Sequence, residues 1–250
     1  MKSLIKPLLR WAGYELKPLA IAASINEQYS DVTEREWQIY SKVKDFTMVS
    51  LERIVTNIRA ADYVSANKIP GDIVECGVWR GGSSMAMALA LKDQLRTLWM
   101  YDTYSGMTDA TDTDMTSTGL KASLLLEEAK QDKTPERTLL LAIASLRDVQ
   151  RNMQTTGYPS SRINFIQGPV ERTIPSHMAE EIALLRIDTD WYESTRHELK
   201  HLYPRLSSGG VLIVDDYGYW KGARKAVDEY FEGKLFLHRI DYTGRLAIKP

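Results

Sequence analysis

The chain has 250 residues, enough for one large α/β domain with a sizeable core. It is 44% hydrophobic and 26% charged with a net charge of −1, which excludes the strongly basic character of a nucleic-acid binder. Cys76 is the only cysteine, which excludes a disulfide scaffold and a cysteine-rich zinc site, and no apolar run reaches the roughly 18 residues a membrane span needs.

Residues 1–18 alternate Lys2, Lys6, Arg10 and Lys17 with Leu4, Ile5, Leu8, Leu9 and Trp11. Lys6 and Arg10 break the apolar core that a signal peptide requires. The pattern fits an amphipathic helix packing on the domain or on a sister subunit, with a basic helix on a membrane surface as the alternative. Helices are expected over Thr33–Tyr40 and Ser50–Asn67. The second keeps Leu51, Ile54, Val55, Ile58, Ala61 and Tyr63 at helical spacing. After the Pro70-Gly71 turn signal, strands and helices alternate, which implies a mostly parallel sheet.

Ile73–Cys76 reads as the first strand. The turn Gly77-Val-Trp-Arg-Gly81-Gly82 follows, and Ser83-Ser84 are expected to cap a helix from Met85 to Lys92. Leu98–Tyr101 is the second strand and ends at Asp102. The polar stretch Asp109–Gly119 reads as a surface loop. Helices over about residues 120–131 and 135–155 precede a third strand at Ile163–Ile166. Two more apolar runs, Ala183–Ile187 and Gly210–Val214, end in Asp188-Thr-Asp190 and Asp215-Asp216. The segment between them is helical and closes on Gly209-Gly210. That is a βαβ unit, so its strands should be parallel neighbours with their C-terminal ends together. A helix over 221–232 leads to a terminal hairpin, Leu235–Ile240 and Arg245–Ile248, around the turn Asp241–Gly244.

Two features carry chemistry. Glu75-x-Gly77-x-x-x-Gly81-Gly82 lets a ligand approach a strand–helix turn, and Asp102 is placed to accept hydrogen bonds from a ribose diol. Alone, this pattern is equally served by a tight turn whose glycines pack. The carboxylates Asp188, Asp190, Asp215 and Asp216 converge where open α/β sheets bind ligands, and a hard divalent cation would relieve their repulsion. Taken singly, each pair also fits a helix cap or a loop carboxylate. Trp191 and Tyr217 are candidates for lining an acceptor pocket.

Glu75-Cys-Gly-Val-Trp-Arg-Gly-Gly82, Asp188-Thr-Asp-Trp-Tyr-Glu-Ser-Thr195, Leu206-Ser-Ser-Gly-Gly210 and Asp215-Asp-Tyr-Gly218 resemble the macrocin O-methyltransferase family. The resemblance covers roughly residues 46–250, starting at Thr47–Arg53. Thr103-Tyr-Ser-Gly-Met107 departs from the family's acidic Glu-Gly-Leu-Pro continuation. It implies a Rossmann-like class I methyltransferase fold: a mostly parallel seven-stranded sheet with a C-terminal antiparallel hairpin and N-terminal helical additions. Residues 1–68 would form a helical extension and substrate lid, and 69–250 the methyltransferase domain. The implied reaction is metal-dependent transfer of a methyl group from S-adenosylmethionine to a sugar hydroxyl of a natural product. The implied cofactor residues are Glu75, Gly77, Gly81, Ser83, Asp102, Ser105, Gln167, Gly168 and Asp188. Asp188, Asp215 and Asp216 match the magnesium ligands, and Asp190 matches the proposed general base; spacing alone does not separate ligand from base. A small-molecule acceptor, a homo-oligomer and a cytoplasmic location are expected. Alternatives are a catechol-type O-methyltransferase and a non-catalytic S-adenosylmethionine-binding protein.

His197-Glu-Leu-Lys-His201 matches the zinc-protease signature H-E-x-x-H. At about 100° per residue, Leu199, Leu202 and Leu206 form the packing face and the histidines the opposite one, so the motif is expected to face solvent. His177 and His238 are lone histidines with structural or surface roles.

Overall fold

The computed structural model describes residues 28–91, 96–132 and 134–250. The basic segment 1–18 and the predicted helix end at Lys92 lie outside them. The chain divides into two compact units, residues 1–37 and 38–250. In the first, the backbone N–H of Thr33 donates to Glu36 Oε2 at 2.7 Å, and that of Glu36 donates to Thr33 Oγ1. This reciprocal capping box opens helix α1 (Glu34–Val43).

In the second unit, α2 (Leu51–Ala66) starts at Ser50, whose hydroxyl accepts from the N–H of Arg53. Seven strands follow among helices: β1 (Asp72–Cys76), α3 (Gly82–Ala90), β2 (Leu98–Asp102), α4 (Ala122–Gln131), α5 (Pro135–Leu139), α6 (Leu146–Gln154), β3 (Ile163–Gln167), α7 (Val170–Thr173), β4 (Ile182–Ile187), α8 (Tyr192–His201), β5 (Leu206–Val214), α9 (Lys221–Phe231), β6 (His238–Arg239) and β7 (Arg245–Ile248). The sheet order is β3-β2-β1-β4-β5-β7-β6, with β7 alone reversed, antiparallel to both β5 and β6. The chain winds outward from β1 to β3 and then returns to β4, so the direction switches between β1 and β4. That crevice is where open α/β sheets take ligands.

Strand periodicity divides the core. Ile73, Leu184, Val211 and Ile213 pack on one face with Ile54, Ile58 and Met87. Val74, Cys76, Leu185, Ile187, Leu212 and Val214 pack on the other with Leu199, Leu202 and Val227. Both faces are covered, so the strands read as continuous apolar runs. Register is set residue by residue: Cys76 pairs with Ile187, and Ile187 with Val214. The next residues, Gly77, Asp188 and Asp215, therefore sit side by side at the C-terminal edge. The expected βαβ unit is present as β4-α8-β5.

Several local expectations need correcting. Ser83 and Ser84 do not cap α3; Gly81, at φ 91, holds the N-cap position. Ser84 instead donates its hydroxyl to the buried Glu75, which needs a donor more than the helix end does. The 109–119 stretch is no simple surface loop. Asp114 is fully buried and accepts from the backbone N–H of Tyr192 at 2.8 Å, satisfying an orphan donor of α8. The 135–155 helix is broken after Leu139, with Ala142 in the left-handed region, and resumes at Leu146. The first hairpin strand is only His238–Arg239.

Gly77 has φ +83, and a Cβ there would lie 1.9 Å from the carbonyl oxygen of Asp188. Gly77→Ala should therefore destabilise the protein by at least about 2 kcal/mol in denaturant unfolding. Gly157→Ala, at φ +73 with nothing within 4 Å of the added carbon, should cost only the backbone penalty of about 1 kcal/mol. Equal losses at the two positions would contradict close approach of β1 to β4.

Candidate active site

A cavity of about 290 Å³ opens at the C-terminal edge of β1, β4 and β5. Its floor is an ion-pair cluster built around Arg186. This residue interrupts an otherwise apolar buried strand, and its side chain is 1% exposed. Nη1 donates to Glu75 Oε1 at 2.8 Å and to Asp188 Oδ2 at 2.7 Å, and Nη2 donates to Asp215 Oδ1 at 2.5 Å. Burial opposes the guanidinium charge, but Asp188, Asp215 and Glu75 outweigh it and hold the pKa above its ordinary value. Arg53, at the start of α2, forms a further ion pair with Asp215 and another with Asp241 at 3.0 Å. Sequence reasoning missed both arginines. For Arg186 the available signal was a lone charge inside a buried strand, which demands a partner.

The acidic surplus lies on the other side. Oxygens of Asp188, Asp215 and Asp216 come within 4.8 Å of one another. Asp216 Oδ2 is buried without a hydrogen-bond partner. Burial raises the Asp216 pKa well above the carboxylate range, and the charges of Asp190 and Asp215 add to this. Burial, then the charge of Asp188, pushes Asp190 up to about 7. Asp190 itself has φ 67. The two arginines balance only part of five converging carboxylates, Glu75 included, so the donor set fits a hard cation. The expectation that a cation alone resolves the repulsion needs amending, because the chain supplies two counter-charges of its own.

On the β1–β2 side, Asp102 is a turn-holder. Its Oδ2 accepts from the N–H groups of Val78 (2.7 Å) and Trp79 (2.9 Å), and Oδ1 accepts from Tyr104 N–H (2.7 Å). Three backbone N–H groups thus fix this carboxylate, and Thr103 Oγ1 lies 3.4 Å from Oδ1. Glu75, Gly77, Ser83, Asp102, Gly168 and Asp188 line the cavity with Asp190, Asp215 and Asp216. Gly81, Ser105 and Gln167 do not. Gly81 sits behind the turn against Val149, while Ser105 and Gln167 are exposed.

The aromatic lining also differs from expectation. Trp191 is buried and packs edge-on to Trp220 with ring centroids 5.0 Å apart. Tyr217 faces away, its hydroxyl donating to Asp228 at 2.7 Å. Tyr219, Trp220 and Tyr242 line the cavity instead, together with Phe46–Val49.

The H-E-x-x-H motif is not solvent-facing. Both histidines are half-buried, His197 Nε2 lies 3.0 Å from the carbonyl of Ile174, and the two rings are 4.5 Å apart. Glu198 is fully buried beneath the sheet edge, at 3.2 Å from Thr189 Oγ1. α7 and the chain leaving it cover what the helical wheel left bare. Among the described residues these three do not gather as metal ligands.

The sheet order, the reversed hairpin and an acidic cleft at the switch point define a class I methyltransferase. The model of the macrocin-O-methyltransferase (TylF) family matches residues 14–246, and the chain belongs to that family of S-adenosylmethionine-dependent O-methyltransferases. Demethyldecarbamoylnovobiocin O-methyltransferase of Streptomyces niveus is 32% identical over 213 residues, 82% of this chain and 76% of that protein. Mycinamicin III 3''-O-methyltransferase of Micromonospora griseorubida is 34% identical over 187 residues, 74% of this chain and 69% of that one. The solved structure of the O-methyltransferase NovP superposes with a TM-score of 0.67 at 32% identity, covering 82% of each chain. At 18% identity, the calicheamicin methyltransferase CalS11 shares the fold, with a TM-score of 0.58 over 86% of this chain and 91% of that one.

Arg186→Met keeps the side-chain bulk but strands Glu75, Asp188 and Asp215. Denaturant unfolding at neutral pH should show a loss of about 3–5 kcal/mol. A loss below about 1 kcal/mol would mean that Arg186 is not their counter-charge.

Proposed function

We propose that the protein methylates a sugar hydroxyl of a glycoside or related natural product, with a divalent cation at Asp188, Asp215 and Asp216. The observation that carries this reading is the convergence of those three carboxylates, one with an orphaned oxygen, beside the glycine-rich turn after β1. The names of the similar proteins support a sugar acceptor: one acts on mycinamicin III, another on a rhamnosyl-tetracenomycin.

Glu75, Gly77, Ser83, Asp102 and Gly168 would hold S-adenosylmethionine. Gly77 lets the cofactor approach the backbone, and Asp102, at the end of the second strand, would accept from a ribose hydroxyl. Gly81, Ser105 and Gln167 would act from outside the lining, by shaping the turns that bear it. The methyl sulfonium is already electrophilic, so the chain's task is alignment and deprotonation. A bound hard cation lowers the pKa of a hydroxyl and fixes its oxygen. Asp190, at the same edge and outside the ligand trio, takes the proton as the oxygen–methyl bond forms and the methyl–sulfur bond breaks. Arg186 holds Asp188 and Asp215 in place. Phe46–Val49, from the helical extension, wall the cavity and keep water from the reacting atoms.

Two measurements test the reading. Excess chelator should abolish methyl transfer to a glycoside panel and magnesium should restore it; full turnover in chelator removes the metal from the proposal. Asp190→Asn should lower kcat by about 10²-fold or more while calorimetric affinity for S-adenosylmethionine stays within about twofold. Undiminished turnover would remove Asp190 as the base.

A further inference from the structure

Glu198 is a buried carboxyl that methyl transfer, as derived above, does not use. It is 0% exposed on α8, does not line the cavity and belongs to neither the ligand trio nor the ion pairs of Arg186. Its Oε2 accepts from the Thr189 hydroxyl at 3.2 Å, while Oε1 meets no N–H or O–H donor. The Cys76 thiol is a further polar group beside it; burial first, then the Glu198 charge, raises that thiol. Burial raises the Glu198 carboxyl well above the carboxylate range. The bond from Thr189 opposes this and the charges of Glu171 and Asp188 add to it, which favours the neutral acid. A half-satisfied buried acid weakens a fold, and an apolar side chain of similar volume would cost less there. Stability alone does not call for an acid at this position.

What Glu198 touches is the turn that carries Asp190. The Thr189 carbonyl accepts from the Trp191 N–H at 2.8 Å and from the Ser194 hydroxyl at 3.3 Å. The first of these bonds closes a three-residue turn with Asp190 at its centre, at φ 67. That sense of the turn is strained for a residue with a side chain, and it persists only where the surroundings over-determine it. Ser194 and Glu198 are four residues apart on α8, so they share one face and reach the same residue. On the β1 side the Asp188–Thr189 peptide abuts Gly77, where a Cβ would lie 1.9 Å from the Asp188 oxygen and 3.3 Å from the Thr189 nitrogen. The turn is thus held between Gly77 and α8, and Asp190 lines the cavity from it.

We propose that Glu198 is a positioning residue for Asp190. Its hold on the Thr189 side chain, with Ser194 on the Thr189 carbonyl, keeps the turn in the strained form that presents the Asp190 carboxylate to the acceptor hydroxyl. This rests on Asp190 being the base of sugar O-methylation, and it adds to that step a residue outside the cavity.

The test uses the full chain with magnesium, S-adenosylmethionine and a panel of neutral aryl hexosides and aryl 6-deoxyhexosides, taking the member that the wild type turns over fastest. Glu198→Met keeps the volume without the acceptor, and Thr189→Val removes the donor, which reads the same bond if Glu198→Met does not fold. Each should lower kcat about tenfold, with the acceptor KM and the calorimetric Kd for S-adenosylmethionine within about twofold. Glu198→Gln restores a neutral acceptor and should keep kcat within about twofold of wild type. On an Asp190→Asn background, Glu198→Met should cost nothing further, because the group it positions is gone. In a crystal structure of Glu198→Met, Asp190 should have left the left-handed region. Undiminished kcat in Glu198→Met or Thr189→Val, equal losses in the Gln and Met variants, a full tenfold loss on the Asp190→Asn background, or an unchanged Asp190 φ overturns the positioning role while sugar O-methylation stands. Methylation of none of the panel, or wild-type kcat in Asp190→Asn, removes the base reading and this inference with it.

Discussion

The buried guanidinium of Arg186 is the interaction on which the site depends. It joins Glu75 on β1, Asp188 after β4 and Asp215 after β5 through charge-assisted hydrogen bonds of 2.5–2.8 Å. A carboxylate buried alone would be protonated or would move to water. Three of them instead remain at the sheet edge because one planar cation, with donors on both Nη atoms, spans the strand ends. The floor of the cleft is built on that arrangement.

Arg186 also sorts the carboxylates. Glu75 and Asp215 are nearly sealed and bound to fixed cations, so they define geometry. Asp188 is shared between the guanidinium and the cleft, with 24% of its side chain exposed. Asp216 and Asp190 lie beyond either arginine's ion pairs and carry the unbalanced charge. The structural and reactive ends of one acidic cluster are thereby separated by a few ångströms. Arg53 ties the cluster to α2 on one side and to the Asp241 turn on the other, which links the cleft wall to its rim.

Much of this was legible in the chain. The alternation of apolar runs with helical segments leads to a mostly parallel sheet, because burial on both faces leaves strands a continuous apolar signature, while the seven-stranded fold with its final hairpin followed from the family resemblance. The convergence of the two Asp pairs follows from βαβ geometry alone. Other features were hidden for identifiable reasons. Ser84 reads as a cap because local propensity favours it there, but a buried carboxylate nine residues earlier claims its hydroxyl. Asp114 reads as a loop residue because nothing local shows that an uncapped helix start lies against it. His197 and His201 read as exposed because a helical wheel knows only its own packing face, not the neighbour covering the other side.

The sequence by itself determined the fold class, the position of the cleft and the acidic chemistry at its edge. These depend on periodicity and spacing, which are properties of the chain in one dimension. Only the tertiary structure decided how the charge is balanced and what surrounds the acceptor. Arg53 lies 162 residues from the Asp215 it engages, and the carbonyl of Tyr242 reaches the backbone at 218 only because that residue is glycine. Such contacts depend on the distances between elements after packing, and nothing in local sequence encodes those distances.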